Sequence, residues 1–226
     1  MGVNIGNKEL KDAYIGDKPI KKIYLGDKLL WQKVPYDAEI EYLESDGNQW
    51  IGLPLIANVG QSLSFEGEMI PRYKNGVTVY YYTFQTTPTN QFSGFFYSKD
   101  TKTNKITYAS YSGNDTAYGS WGCGTEIDKK GNFIISTQGK TNPSNGEYQE
   151  LVRPLNRNVK TFYLFGGYDS NRCPICYGKI KIKVNDGVVY DMIPVRIGQV
   201  GYMYDKVSGQ LFENSGTGNF ILGNDI

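Results

Sequence analysis

Lys179-Ile180-Lys181-Ile182-Lys183-Val184-Asn185-Asp186-Gly187-Val188-Val189-Tyr190-Asp191-Met192-Ile193 carries the clearest fold signal in the chain. Ile180, Ile182 and Val184 alternate with three lysines, the period of two that gives a strand one buried and one wet face. Asp186-Gly187 supplies a left-handed turn and Val188 to Ile193 returns, so the stretch predicts a β-hairpin. Working outward, Leu63, Phe65 and Met69 alternate with Ser64, Glu66 and Glu68 in the same way. Val77 to Phe84, Phe92 to Tyr97, Phe133-Ile134-Ile135 and Phe162-Tyr163-Leu164-Phe165 read as further strands. Tyr202 to Tyr204, Ser208-Gly209 and Gln210-Leu211-Phe212 make a second hairpin, and Phe220-Ile221-Leu222 closes the chain. No window shows the 3.6-residue helical period, and no repeat of propeller length occurs. The expected fold is all-β, a two-sheet jelly-roll sandwich.

Composition narrows the chemistry. The 226 residues hold 24 basic and 23 acidic side chains, a balance that sets up no field for nucleic acid or anionic lipid. Histidine is absent, which removes every imidazole-based nucleophile, zinc site and proton shuttle. Cys123, Cys173 and Cys176 form no disulfide framework. Cys173-Pro174-Ile175-Cys176 has the CxxC spacing but lacks a surrounding βαβ unit and two further zinc ligands, so it reads as small apolar residues entering a strand. Met1 to Gly6 shows no basic region followed by an apolar run, hence no signal peptide, and no stretch reaches the length of a membrane span.

The first 35 residues stand apart from residues 36–226. Tyr14-Ile15-Gly16-Asp17-Lys18 returns ten residues later as Tyr24-Leu25-Gly26-Asp27-Lys28, each copy an apolar strand end, a Gly-Asp turn and a new strand. Pro35 interrupts the pattern and marks a boundary. Such short strands bury no core by themselves. Tyr14, Ile15, Tyr24, Leu25, Leu30 and Trp31 are therefore candidates for attachment or oligomerisation, by adding to another subunit's edge or to a larger particle. The alternative is a flap over the sandwich's own open edge.

Glu41-Tyr42-Leu43-Glu44-Ser45-Asp46-Gly47-Asn48-Gln49-Trp50-Ile51 resembles the opening of concanavalin A-like, laminin-G-like domains found in gut-bacterial phages and gut bacteria. Asp191-Met192-Ile193-Pro194-Val195-Arg196, Val200-Gly201-Tyr202-Met203-Tyr204-Asp205 and Ser208 to Gly218 resemble the same family's ending, and Val159 to Gly166 a central strand. Ile23 to Trp31 is similar to a unit at the start of virion and appendage proteins of such phages. The matched strips leave roughly residues 70–150 without a counterpart, and Trp50-Ile51-Gly52-Leu53-Pro54 departs from the family's usual opening turn. The resemblance implies a head-fibre or tail-fibre component located on the virion. It also implies a homo-oligomer joined to other virion proteins through the N-terminal segment. A stand-alone carbohydrate-binding protein of a gut bacterium is the alternative.

Glycan binding needs aromatic platforms beside amides and carboxylates. Tyr111, Asn114, Asp115, Tyr118 and Trp121 offer those types within one stretch that reads as an inter-strand loop, while Tyr118 and Trp121 equally suit a core. Tyr80-Tyr81-Tyr82 would send rings to both faces of a strand. Calcium, common in laminin-G-like domains, would have Asp100, Asp115 and Asp128 as ligand candidates, but none sits in a multi-acid loop, so no cofactor is expected. Glu66-Gly67-Glu68 and the Glu39/Glu41 pair place acids on one strand face without the fuller pattern of a jelly-roll glucanase. The expectation is a binding or structural module and no enzyme.

Overall fold

The computed structural model describes residues 4–5, 8–9, 12–20, 22–72, 84–87, 92–99, 106–112, 119–121, 130–136, 139–141, 148–150, 155, 158–166 and 174–226. Within them every regular element is a strand and every pairing is antiparallel. No helix among the described residues is long and apolar enough to cross a membrane. The chain divides into two compact units, Met1–Asp37 and Ala38–Ile226.

The first unit consists of small ladders. Ala13–Ile15 pairs with Lys18–Ile20, and Lys22–Leu25 pairs with Lys28–Gln32. Gly16 and Gly26 each take φ +59° at the first turn position, while the Asp that follows is not left-handed, the pattern of a type II′ hairpin turn. A third ladder, Asn4–Ile5 with Lys8–Glu9, precedes them.

The second unit is β-sandwich-like. A sheet of eleven strands runs from Tyr148–Glu150 through Gly139–Thr141, Gly131–Ser136, Leu63–Pro71, Ile175–Val184, Gly187–Ile197 and Val200–Asp205 to Gln210–Phe212. The short strands Ala38–Glu39, Leu43–Ser45 and Ile221–Leu222 join it alongside. A sheet of six runs Gly119–Trp121, Ile106–Ser112, Phe92–Lys99, Phe84–Thr87, Val159–Leu164, Ile51–Ala57. Both sheets feed one core. Phe65 of the larger sheet meets Phe162 of the smaller at 5.2 Å between ring centroids, and also packs on Phe133 and Tyr177. Each fully buried ring of this kind contributes roughly 1.5–3 kcal/mol.

The alternation along 63–69 and 180–184 holds: Leu63, Phe65, Met69, Ile180 and Ile182 are buried, and Lys179 and Lys181 are exposed. Lower in the same strand the inward residues are Ile175 and Tyr177, so the parity changes from odd to even. The cause is a β-bulge opposite Glu68, where Gly67 pairs with Ile180 but Met69 pairs with Tyr177. Gly67, at φ +153°, is needed there because a Cβ would collide with the Lys179 carbonyl and lie 2.8 Å from Ile180 Cα. The late hairpin differs from its expected turn. Its left-handed residues are Asn185 (φ 48°) and Asp186 (φ 65°), and Gly187 already pairs with Val184. A second bulge between Ile182 and Lys183 resets the register by one, and Asn185 is held in place as its Oδ1 accepts the Ser62 N–H at 3.0 Å.

The two ends of this unit are paired with each other. Glu41 N–H donates to the Asn224 carbonyl at 2.9 Å and Ile226 N–H to the Glu39 carbonyl at 3.1 Å. Arg196 adds a two-toothed bond to Asp225 at 2.7 and 2.6 Å, which holds the Asp225 carboxyl below the usual carboxylate range.

Candidate functional site

Of the attachment candidates, Tyr14, Ile15, Tyr24 and Leu25 sit on hairpin tips, and Leu30 and Trp31 lie further along the second hairpin. Tyr14 is 59%, Ile15 75%, Tyr24 53% and Leu25 70% exposed, and Leu30 is half-buried. Trp31 takes its place opposite Ile23 in the second ladder. Lys33 Nζ meets Asp12 Oδ1 at 2.7 Å, and this bond raises the lysine's pKa. Sequence reasoning missed the ladder at 4–9, although its signal was present. Ile5-Gly6-Asn7-Lys8 stands ten residues before Ile15-Gly16-Asp17-Lys18, with Asn for Asp and Asn4 in place of a tyrosine.

Two of the strips that carried the family resemblance turn out to clasp each other. Ser45 Oγ donates to the Gln49 carbonyl at 2.9 Å and accepts Gly47 N–H, so residues 45–49 close a tight polar turn. Buried Gln49 then donates to the Thr217 carbonyl at 3.1 Å, and Asn214 Oδ1 accepts Trp50 N–H at 3.1 Å. Gly216 is required at the contact, where a Cβ would strike the Asn48 carbonyl and lie 2.8 Å from Trp50 Cδ1. Asp205 organises the next turn. This buried carboxylate accepts the N–H groups of Asp191, Val207 and Ser208 and the Ser208 hydroxyl, at 2.6 to 3.2 Å. Burial first, and the Asp205 charge second, raise the pKa of Tyr190 and Tyr204. These motif residues spend their polar groups on the fold.

The acids of the Glu66-Gly67-Glu68 pair lie on the outer face of the larger sheet. Glu66 meets Lys183 at 2.7 Å and Glu68 meets Lys130 at 2.9 Å. Glu41 accepts the Asn224 side-chain amide at 3.1 Å, and its neighbour Glu39 belongs to the short edge strand 38–39. A shallow cleft lies beside them, lined by Glu41, Tyr42, Glu68, Ile70, Lys130 and Gly178 among others. Further along the same face Arg72 Nε donates to Glu44 Oε2 at 3.0 Å, and its guanidinium lies 5.8 Å from the centre of the Tyr42 ring. The thiol of buried Cys176 donates to the same Glu44 oxygen at 3.1 Å. Burial, reinforced by that carboxylate, pushes the thiol pKa well up, so the group is a weak nucleophile. Cys123 and Cys173 lie outside the described residues.

Of the glycan candidates, Tyr111 falls in the strand Ile106–Ser112 opposite Ser93, and Trp121 ends the strand Gly119–Trp121 opposite Tyr108. The stretch begins and ends in paired strands of the six-stranded sheet, where a loop was expected. Asn114, Asp115 and Tyr118 lie outside the described residues, as do Tyr80 to Tyr82 and the calcium candidates Asp100 and Asp128. Among the described residues no three Cys, Asp or Glu side chains converge as a metal site.

In comparison with known proteins, no family model matches the chain and no curated protein is similar to it.

Proposed function

We propose that the chain is a non-enzymatic display protein of a phage particle, a head-fibre or tail-fibre component. In this reading a jelly-roll, laminin-G-like sandwich is carried on an N-terminal attachment segment. The observation that supports it is the recurrence of apolar exposure on the repeat: Tyr14, Ile15, Tyr24 and Leu25 are each more than half exposed on hairpin tips in a unit of their own. Exposed apolar residues on a regular repeat suit docking better than solvation. Many copies on one particle would make weak ligand sites effective through avidity.

The test is antibody-labelled electron microscopy of particles purified from the source culture. Label on capsid or tail is the expected result. Clean particles with label on cells or in the supernatant would overturn the virion reading. The glycan-holding role of the sandwich is tested separately on a glycan array. Binding that survives Trp121→Ala would remove the proposed sugar platform.

A further inference from the structure

We infer that the sandwich holds neutral sugars on the outer face of its six-stranded sheet, in a row of residues centred on Tyr163. The site rests on the reading of the sandwich as a glycan-displaying module, and it shares only Tyr111 with the residues picked out at 111–121.

Strand pairing assembles the row. Gly52 pairs with Tyr163, Tyr163 with Gln85, Gln85 with Ser93 and Ser93 with Tyr111, so one line runs across the sheet from strand 51–57 to strand 106–112. Directly opposed residues of neighbouring strands share a face. Phe162 and Leu164 on either side of Tyr163 are buried, and so is Thr86 beside Gln85, which puts the row on the outer face. Trp121 falls elsewhere. It pairs with Tyr108, three residues from Tyr111 in a strand whose pairing with Gly119–Trp121 is regular. That odd separation places Tyr108 and Trp121 on the opposite face from Tyr111. The stretch 111–121 therefore does not offer Tyr111 and Trp121 to one ligand, whereas the row offers Tyr111 and Tyr163.

At the edge of the sheet the row ends in a slot between two rings. Trp50 and Tyr163 are both half-buried, with centroids 5.4 Å apart and planes inclined at 64°. Gly52 keeps the slot open: a Cβ there would lie 3.4 Å from Trp50 Cζ3 and 3.7 Å from Tyr163 Cε1. Its backbone is outside the left-handed region, so what the glycine supplies is room. Outward positions of a sandwich strand are ordinarily polar. In strand 51–57 they are Gly52, Pro54 and Ile56, the last 80% exposed.

Charge decides the class of ligand. On strands 51–57, 84–87 and 159–164 the one charged residue is Lys160, set at the bulge between Val159 and Thr161. The outer face of the larger sheet carries Glu66, Glu68, Lys179, Lys181 and Lys183 instead. An uncharged face with aromatic residues, an amide residue and a hydroxyl residue in line suits a sugar, whose C–H face stacks on rings while its hydroxyls take the polar groups. A sialic or uronic acid would find no ion-pair partner within the row, so the complementary ligand is neutral.

An array of neutral hexose and N-acetylhexosamine oligosaccharides, printed beside sialylated and uronic-acid ones, tests this with the full chain. The wild type is expected on the neutral sugars. Tyr163→Ala should weaken that binding about tenfold. Gly52→Val fills the slot with a residue that strands favour, so the melting transition should stay while binding falls by a similar factor. This second variant keeps the test decisive if Tyr163→Ala does not fold. Lys181→Ala, exposed on the larger sheet, should leave binding intact. Neutral-sugar binding that survives in a folded Tyr163→Ala chain or in Gly52→Val would overturn the inference. So would a loss in Lys181→Ala, or a wild type that binds acidic glycans alone or no glycan. Binding lost in Trp121→Ala and kept in Tyr163→Ala would overturn it too, and return the sugar site to the 111–121 stretch. Labelled particles together with a wild type that binds no glycan would defeat this inference and leave the virion reading standing.

Discussion

Ile15 and Ile182 are the same residue in the same kind of strand, each close to lysines, yet one is 75% exposed and the other is fully buried. Alternation determines which face a side chain occupies; it does not supply what covers that face. Ile182 is covered because the larger sheet is backed by Phe162, Leu164 and their neighbours from the smaller one. The hairpins of residues 1–37 have the turns and registers of good β structure and leave their apolar tips in water. The sandwich buries its own apolar faces, whereas each hairpin is a two-stranded sheet that leaves its apolar tip exposed.

That contrast can be broken or sharpened by substitution. The largest effect is expected at Phe65, which touches three aromatic rings. Phe65→Ala should cost about 4 kcal/mol in urea unfolding, as large-to-small core changes do, whereas Ile15→Ala should stay within about 0.5 kcal/mol for the monomer. Equal losses would erase the distinction. Next comes Asp205→Ala, which leaves three backbone N–H groups and a hydroxyl without their acceptor. A loss of about 3 kcal/mol is expected from thermal melts, against almost none for Asp17→Ala on an exposed turn. Smaller again is Gly16→Ala. No atom lies within 4 Å of the added methyl, so only the left-handed backbone resists, at about 1 kcal/mol.

The smallest effect concerns pH. Asp225 has a folded pKa below its unfolded one, so its contribution is present above the usual carboxylate range and is lost as pH falls through the folded value. The Arg196 Nε–H signal in NMR should therefore shift on acidification, because that group donates to Asp225, and Asp225→Asn should abolish the shift. An unchanged Arg196 titration in the Asn variant would show that another acid faces the guanidinium.

The all-β class and the hairpins at 13–20, 22–32 and 180–193 were legible because local alternation and Gly-Asp pairs encode them. The turn of the late hairpin was misplaced by one residue. Asn185-Asp186-Gly187 contains two acceptable turn pairs, and the choice between them is made by a bulge and by Ser62, more than a hundred residues away. The parity switch at Gly178 is hidden for the same reason, since only pairing with Glu68 reveals it. The clasp was half legible: the strips containing Gln49 and Asn214 were recognisable as motifs, but the bond from Asn214 to Trp50 spans 164 residues. Sequence marks such residues as special without saying that their task is to hold the fold.

Finally, the pairing of Glu39 and Glu41 with Ile226 and Asn224 makes the sandwich a plug with both leads on one side. A domain that is entered and left at one place can be transplanted or inserted with little disturbance of its interior. Joining residue 226 to residue 38 through a short linker and opening the chain at an exposed turn such as Asn185-Asp186 should accordingly yield a circular permutant that still folds. The same geometry would let one sandwich be exchanged among different N-terminal segments as a cassette.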